Sequence, residues 1–346
     1  MFFKIAIVLA GLLAVTPIML FVERRGSAKL QNRMGPNRFG PFGLLQSALD
    51  VIKFIFKEDR APAHVNKFYF SLAPLVVLIP ALMTFAVIPF AGNDFQIANL
   101  DVGILYCFSI ASLGVYGIIM AGWASNNKYS LLGSLRSSAQ MISYELTLGL
   151  SMIGLVMIFQ SLKLGDIVTA QGETWFTLAG FEVPKLGILV QPFGFLFFMV
   201  ASFAETNRLP FDLPEGEPDL VAGYHLEYGS MRFALFMLSE FVNMTVASAL
   251  MATLFFGGWQ YPAFVGNIAS NLANGNADQL YIITTLFHGI AFVLKIACFM
   301  WLFVWVRWTL PRFRFDQLMN FGWRVLFPLA LLNVFVTGVL IYLGVF

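Results

Sequence analysis

Long apolar runs alternate along the chain with shorter segments that contain most of the charged residues. Eight of these runs are long enough to cross a bilayer core of about 30 Å as helices, which rise about 1.5 Å per residue. They lie near residues 2–22, 69–90, 101–122, 139–160, 187–203, 231–257, 279–306 and 321–344. The pattern therefore predicts an all-α membrane protein with about eight transmembrane helices.

The composition supports a lipid environment. Hydrophobic residues make up 59% of the 346 residues and charged residues only 12%, whereas soluble domains contain about 25% charged residues. The net charge of +2 argues against nucleic acid as a partner. We therefore expect a single polytopic membrane domain over residues 1–346, with the lipid bilayer as its surroundings.

Lysine and arginine residues predict the orientation of the chain. Residues 23–68, 123–138, 204–232 and 307–324 contain 17 of the 21 lysines and arginines. By the positive-inside rule, these four segments face the cytoplasm or its equivalent. Both termini are then expected on the outer, periplasmic side.

The first charged loop, residues 23–68, is predicted to contain a short amphipathic helix. Glycines and prolines between residues 35 and 43 exclude a helix there. Leu44, Leu45, Ala48, Ile52 and Ile55 then recur at helical spacing, over about three to four turns, which is too short to span a bilayer. Such a helix either lies at the membrane interface or frames a side entrance for an apolar ligand, and the sequence slightly favours the interface.

The loop at residues 204–230 is unusually acidic. It contains Glu205, Asp212, Glu215, Glu217, Asp219 and Glu227, with Arg208 among them. Prolines at 210, 214 and 218 cannot all belong to one helix, which predicts an irregular loop. Neighbouring carboxylates repel each other, so some of their pKa values are expected to rise and allow proton exchange. A solvated acidic loop is the alternative, but Phe211 and Leu213 favour a packed one.

Two further carboxylates, Glu145 and Glu240, interrupt apolar runs. An acid in a membrane helix costs about 2.5–3.5 kcal/mol on insertion scales, so both are expected to face the interior of the bundle. Glu145 either pairs with a residue such as Arg136 or carries charge or protons, and the second interpretation is favoured. Lys295 is expected to be a counter-ion for one of the buried acids.

Several kinds of chemistry find no support in the sequence. Cys107 and Cys298 are far apart and show no CxxC spacing, so they do not predict an iron–sulfur or metal site. Phosphate-binding loops, dinucleotide motifs and nucleophile elbows are absent from the sequence. The residues therefore indicate charge handling beside an apolar ligand, with the redox centre in another protein.

Four stretches closely resemble the H-subunit family of proton-pumping NADH–quinone oxidoreductase, respiratory complex I. They are ERR…RMGPNRFGPFGLLQ from Glu23, WASNNKYSLLGSLRSSAQMISYE from Trp123, AETNRLPFDLPEGEPDLVAGYHLEY from Ala204 and RWTLPRFRFDQLM from Arg307. Within the third, ETNRLPFDLPEGE is the most specific. The family usually has Ser or Ala in place of Pro218 and Glu in place of Asp219, so Glu215 and Glu217 are stronger candidates than Asp219.

The resemblance implies a protein that forms the membrane part of a quinone-binding chamber and links quinone reduction to proton translocation. The implied substrate is a quinone, with ubiquinone as the preferred candidate. It would enter near the first span, the amphipathic helix and the sixth span. NADH, FMN and iron–sulfur clusters would belong to partner subunits, so the chain alone would have no activity. The implied partners are peripheral-arm quinone-site subunits and small and antiporter-like membrane subunits, in a bacterial inner membrane rather than a mitochondrial one.

The matched stretches also imply roles for individual residues. The residues implied to line the chamber are Arg24, Arg33, Arg208, Phe211, Arg307 and Arg312. The implied proton or charge relay comprises Glu145, Glu205, Asp212, Glu215, Glu217, Glu227 and Glu240, and no metal site is implied. Two alternatives remain: a stand-alone proton or ion transporter, and the homologous anchor protein of a membrane-bound hydrogenase-type complex.

Overall fold

The computed structural model of the chain describes residues 2–92, 95–178, 181–212, 222–262, 265–266 and 277–345. Helices dominate these residues, as the apolar runs predict. Glu215, Glu217 and Asp219 of the acidic loop lie outside the described residues.

The α-helices are numbered in chain order. They are α1 Phe2–Leu30, α2 Gln46–Phe56, α3 Lys67–Thr84, α4 Gly103–Ala111, α5 Leu113–Ala124, α6 Lys128–Phe159, α7 Leu164–Gln171, α8 Gly187–Val190, α9 Pro192–Glu205, α10 Ser230–Phe255, α11 Ala277–Thr309, α12 Phe315–Asn320 and α13 Phe327–Tyr342. A π-helical segment, Phe321–Leu326, continues α12 directly into α13. Short 3-10 turns occupy Pro41–Gly43, Phe85–Val87 and Gly223–His225.

Among the described residues, seven helical stretches are long and apolar enough to cross a membrane: α1, α3, α4 with α5, α6, α10, α11, and α12 with α13. The fifth predicted span is different, because Gln191 separates the four-residue α8 from α9. At 14 residues, α9 is shorter than the about 17 residues that a simple span needs. The chain is a multi-pass membrane protein, while eight spans and outward termini stay predictions.

Two helices reach further than the hydropathy pattern predicts. α1 continues to Leu30, so Glu23 and Arg24 lie in its last turns rather than in a loop. α6 begins at Lys128, where the Asn127 side chain caps the helix by accepting a 3.0 Å hydrogen bond from the Tyr129 backbone N–H. Glu145 therefore lies near the middle of α6, and not one or two turns from its start.

The predicted amphipathic helix is present as α2. Its apolar side chains Leu49, Ile52 and Ile55 are exposed, as expected for a helix that contacts lipid or another protein chain. Arg24 on α1 donates a hydrogen bond to Asp50 in the middle of α2. The Ser230 hydroxyl, at the start of α10, lies 2.6 Å from the carbonyl oxygen of Lys57. α2 is thus attached to both α1 and α10.

A small β-hairpin, which the sequence pattern does not predict, accompanies the helices. Strands β1 Thr174–Leu178 and β2 Phe181–Pro184 pair antiparallel. The sequence TWFTL is rich in aromatic and β-branched residues, which favour strands. Apolar periodicity does not reveal the hairpin, because it is short and lies between two apolar runs.

α10 lies at the centre of the bundle. Its second half is almost entirely buried and includes small residues such as Ala249 and Ala252. Small residues also let α5 and α6 pack closely, since a Cβ on Gly122 would lie 2.0 Å from the Ser134 hydroxyl oxygen. Close packing of this kind leaves little room for helices to slide.

The two ends of the bundle differ in chemistry. At one end, α1, α9 and α11 finish and α10 begins, and the ion pairs of Arg208, Arg307 and Arg312 lie there. We call this the arginine-rich end. The other end holds the β-hairpin and the turn at residues 256–260 that follows α10.

Candidate functional site

A cavity of about 60 Å³ with both apolar and polar walls lies among α3, α4, α5, α6, α9 and α10. It has room for a few water molecules. Its polar lining includes Glu205, Asn207, Tyr224, Ser239, Glu240 and Asn243. Charged and amide side chains that surround a small hollow within apolar helices are typical of a hydrated site for charge.

Two of the predicted relay acids, Glu205 and Glu240, meet at this cavity. Glu240 lies on its wall and accepts a 3.3 Å hydrogen bond from the Tyr224 hydroxyl. Glu205, the last residue of α9, lines it from another side. Met141 and Leu148 also line the cavity. Residues three and four apart share a helix face, so Glu145 lies on the same face of α6 between them.

Glu145 is half-buried. Within the described part of the chain it forms no ion pair with Arg136, whose guanidinium instead lies 5.5 Å from the centre of the Phe315 ring. The structural alternative of a Glu145–Arg136 pair is therefore wrong.

An ion cluster adjoins the cavity at the arginine-rich end. Arg307 on α11 donates a hydrogen bond to Glu23 on α1. Arg208 lies 3.6 Å from Glu23 and, with its other terminal nitrogen, 3.8 Å from Glu240. Arg208 and Glu23, at the centre of the cluster, are buried with 6% and 9% of their surface exposed. The cluster and the cavity are therefore one continuous set of charges.

Asp212 lies at the edge of the cluster, where Arg312 Nη2 donates a 3.2 Å hydrogen bond to its carboxylate. Burial raises the pKa of Asp212 to about 6; the positive charge of Arg312 opposes this rise and the negative charge of Glu240 adds to it. Burial also lowers the pKa of His225, against the attraction of Glu240. Asp212 can therefore change charge close to neutral pH.

The turn after α9 is held by α6. The amide nitrogen of the Gln140 side chain lies 2.8 Å from the carbonyl oxygens of both Ala204 and Phe211. It also lies 3.2 Å from the side-chain oxygen of Asn207. Asn207 adopts a positive φ of 49°, which asparagine tolerates better than most residues. The Gln140 side chain thus holds the turn that contains Arg208 at both of its ends, Ala204 and Phe211.

Phe211 is expected to line the quinone chamber, and that role stays a prediction. Its ring is 4% exposed and packs between Tyr144 and Phe313. The centroid distance is 5.6 Å to each ring. In the structure Phe211 anchors the turn and does not line the cavity.

Three other predicted residues lie away from the cluster. Arg24 binds Asp50 on α2. Arg33 is exposed, and its Nε donates a 2.7 Å hydrogen bond to the Gln31 side chain. The third, Glu227, accepts a 2.8 Å hydrogen bond from the side-chain amide of Asn127. Their assigned roles stay predictions.

Glu23 is a site residue that the sequence pattern does not single out. It precedes two arginines at the end of an apolar run, so it resembles part of a surface loop. The informative signal is its position: α1 needs no more than about 20 residues to cross the bilayer, and a helix can continue past that limit into protein.

Lys295 is not a counter-ion of a buried acid among the described residues. Its ammonium donates hydrogen bonds to the carbonyl oxygens of Phe256, Gly258 and Gln260 at 2.7, 2.8 and 2.7 Å. These carbonyls follow the end of α10, where helices leave carbonyl groups without helical partners. Nearby, His288 Nδ1 lies 3.0 Å from the Trp259 carbonyl oxygen. Lys295 therefore fixes a helix end.

Within the described residues, no three histidine, cysteine or acidic side chains converge as a metal site would require. Cys107 is buried and Cys298 is exposed. The described site is therefore made of ion pairs, a partly polar cavity and a packed turn.

Comparison with known proteins identifies the family. A family model described as NADH dehydrogenase matches residues 3–338. The first H subunit of the NADH-quinone oxidoreductase of Cytophaga hutchinsonii is 45% identical over 339 residues, which cover 96% of this chain and 93% of that protein. The H subunit from Salinibacter ruber is 46% identical over 339 residues, with 98% and 94% covered. The second H subunit from Geobacter sulfurreducens is 45% identical over 343 residues, with 97% and 94% covered.

These matches extend over nearly the whole chain and its relatives. They confirm the resemblance carried by the four charged stretches, and they favour it over a stand-alone transporter or a hydrogenase-type anchor. The chain therefore belongs to the NADH dehydrogenase family, alongside the H subunits of NADH–quinone oxidoreductase.

Proposed function

We propose that the chain forms the membrane part of the quinone-binding chamber of a proton-translocating NADH–quinone oxidoreductase. Its buried carboxylates would link reduction of the quinone to proton translocation. Arg208 is the observation that carries this proposal, because it lies 3.6 Å from Glu23 in the ion cluster and 3.8 Å from Glu240 at the cavity. A change of charge in the ion cluster would therefore alter the electrostatic potential at Glu240 beside the cavity.

The chemistry of quinone reduction suits such a cluster. Two electrons added to a quinone place negative charge on its carbonyl oxygens, which then take up two protons. Arginines remain charged and donate hydrogen bonds, so Arg307 and Arg312 can stabilise that charge. Asp212, with its pKa raised to about 6, can respond to the same charge by binding or releasing a proton.

The position of α2 supports a lipid-side entrance for the quinone tail. α2 is attached to α1 through Arg24 and Asp50 and to α10 through Ser230. Its apolar side chains are exposed. In this proposal an isoprenoid tail approaches the cluster from the bilayer along the exposed apolar side chains of α2.

The carboxylates lead from the cluster toward the membrane interior. Glu240 and Glu205 line the cavity, and Glu145 follows on α6. Glu145 is half-buried, and a carboxylate in contact with lipid is costly, so a neighbouring membrane subunit would cover it. In this proposal Glu145 is the exit of the relay toward the pumping subunits.

The remaining components belong to other chains. The substrate in this proposal is a quinone, with ubiquinone as the preferred candidate. Partner subunits would hold NADH, FMN and the iron–sulfur clusters. The proposed location is the inner membrane of a bacterium, as one subunit of the complete enzyme.

A photoreactive short-tail quinone in the assembled complex tests the chamber. We expect labelled peptides from α1, α2 or residues 204–228, and loss of the label when excess unlabelled quinone competes. Labelling confined to the β-hairpin or residues 256–262, at the opposite end of the bundle, would show that the assignment is wrong.

A further inference from the structure

Arg208 connects two buried carboxylates on different helices. Its Nη1 lies 3.6 Å from Glu23 Oε2 on α1, and its Nη2 lies 3.8 Å from Glu240 Oε2 on α10. The Arg208 side chain is only 7% exposed, so salt and water screen these contacts little. One guanidinium therefore faces the ion cluster with one nitrogen and the cavity with another.

Both contacts are longer than hydrogen bonds and nearly equal in length. Hydrogen bonds from N–H to oxygen span about 2.7–3.2 Å, so Arg208 is attracted to both carboxylates without a direct bond in either contact. A displacement of roughly 0.5–1 Å would complete a hydrogen bond on one side. The Phe241 ring, whose centre lies 4.6 Å from Arg208 Cζ, supports the guanidinium between them.

The two carboxylates differ in their other neighbours. Glu23 also receives a charged hydrogen bond from Arg307, whereas Glu240 receives one from the neutral Tyr224 hydroxyl. The two negative charges therefore attract the same guanidinium from two sides. A change in either charge alters the balance between these two attractions.

We propose that Arg208 is a positioning residue that couples the charge of Glu23 to Glu240 by sharing one guanidinium between them. This rests on the proposed function, because Glu23 must lie beside the chamber in which the quinone is reduced. Arginine suits the role since its planar group presents separate nitrogens to two partners, whereas lysine has one.

A double-mutant cycle in the assembled, membrane-bound complex tests this coupling. Glu23→Gln, Glu240→Gln and the double variant are made both with Arg208 and with Arg208→Gln. The KM and kcat for a soluble short-chain quinone are measured at saturating NADH, and NADH oxidation by ferricyanide reports assembly. With Arg208 present, we expect the effect of Glu23→Gln on kcat/KM to change about three- to tenfold once Glu240 is replaced. With Arg208→Gln, the two effects should combine within about twofold of additivity.

Two further variants separate positioning from folding. Arg208→Lys keeps the charge and is expected to assemble with normal ferricyanide activity, yet its single nitrogen should not restore the coupling. Arg314→Gln is the matched control, because Arg314 is exposed and pairs with Asp316 at 3.6 Å; it should leave the coupling intact. Coupling that persists in both Arg208 variants, or that is absent when Arg208 is present, would overturn the proposal.

The single variants distinguish this proposal from the proposed function. If neither Glu23→Gln nor Glu240→Gln changes the quinone-dependent rate, the chamber assignment fails. If both change the rate but combine additively in the presence of Arg208, the chamber assignment stands and the coupling role of Arg208 is wrong.

Discussion

Two cations at opposite ends of the bundle, the buried Arg208 and the half-buried Lys295, hold different partners. Lys295 donates to three backbone carbonyl oxygens in residues 256–260. Arg208 lies between the carboxylates of Glu23 and Glu240. A carbonyl keeps its partial charge under all conditions, whereas a carboxylate can lose its charge to a proton. The comparison teaches that such a cation fixes the backbone when it binds carbonyls and responds to chemistry when it binds acids.

Lys295→Met is expected to produce the largest effect, on stability. It removes three charge-assisted hydrogen bonds and leaves buried carbonyls without them, a loss of about 3–6 kcal/mol. We expect a sharp fall in the amount of assembled complex and in its resistance to heat. Lys185→Met is the control, because the ammonium of Lys185, at the same end, lies 5.9 Å from the centre of the Phe159 ring and forms no ion pair with the described residues. If Lys295→Met and Lys185→Met were equally stable, the structural role assigned to Lys295 would be wrong.

Glu240→Gln is expected to reduce quinone-dependent NADH oxidation by about tenfold, or about 1.4 kcal/mol in the barrier. The substitution keeps the shape of the side chain and removes its charge, so the complex should assemble and oxidise NADH normally with ferricyanide. Glu173→Gln, at an exposed acid at the opposite end, is the control. Loss of both activities in Glu240→Gln would place this acid among the structural residues.

Asp212→Asn is expected to alter the pH dependence of the quinone KM. Burial raises the pKa of Asp212 to about 6, so this acid is charged at pH 7.5 and mostly neutral at pH 5, where Arg312 loses its charged partner. We expect the wild-type KM to change by about threefold between these pH values, and the variant at pH 7.5 to resemble the wild type at pH 5. Asp316→Asn, in an exposed ion pair, is the control; an unchanged pH profile in Asp212→Asn contradicts the expectation.

Tyr224→Phe is expected to have the smallest effect. It removes a neutral 3.3 Å hydrogen bond to Glu240 and leaves Arg208 in place, so the quinone-dependent rate should fall by about twofold. Tyr129→Phe, at an exposed position, should change nothing. A decrease as large as that of Glu240→Gln would mean that the hydroxyl, and not the ion pair, governs this acid.

Much of the fold could be predicted from apolar periodicity. The errors in the predicted helix boundaries have a common cause. Ser130, Ser134 and Ser137 have no exposed surface, yet their sequence is typical of a polar loop before the fourth span. They belong to the first turns of α6, where small polar side chains face other helices instead of lipid. Hydropathy measures preference for lipid, so it misses helical turns that are buried against protein.

The site could be predicted only where a charge stands out from its surroundings. Glu145 and Glu240 interrupt apolar runs and are found for that reason. Glu23 could not be predicted as a site residue, because two arginines follow it and the segment resembles a surface loop. The prediction of an acidic partner for Lys295 is wrong because the end of a helix offers carbonyl oxygens that no residue type in the sequence reveals.

The contacts of Gln140 have a mechanical consequence. Its side chain joins α6 to both ends of the turn at residues 204–211, so the turn and the helix move as one body. Glu145 follows Gln140 by five residues on the same helix, α6, which is about 7.5 Å along the helix axis. A displacement of this turn would therefore pass through the Gln140 side chain to α6, and with it to the carboxylate of Glu145.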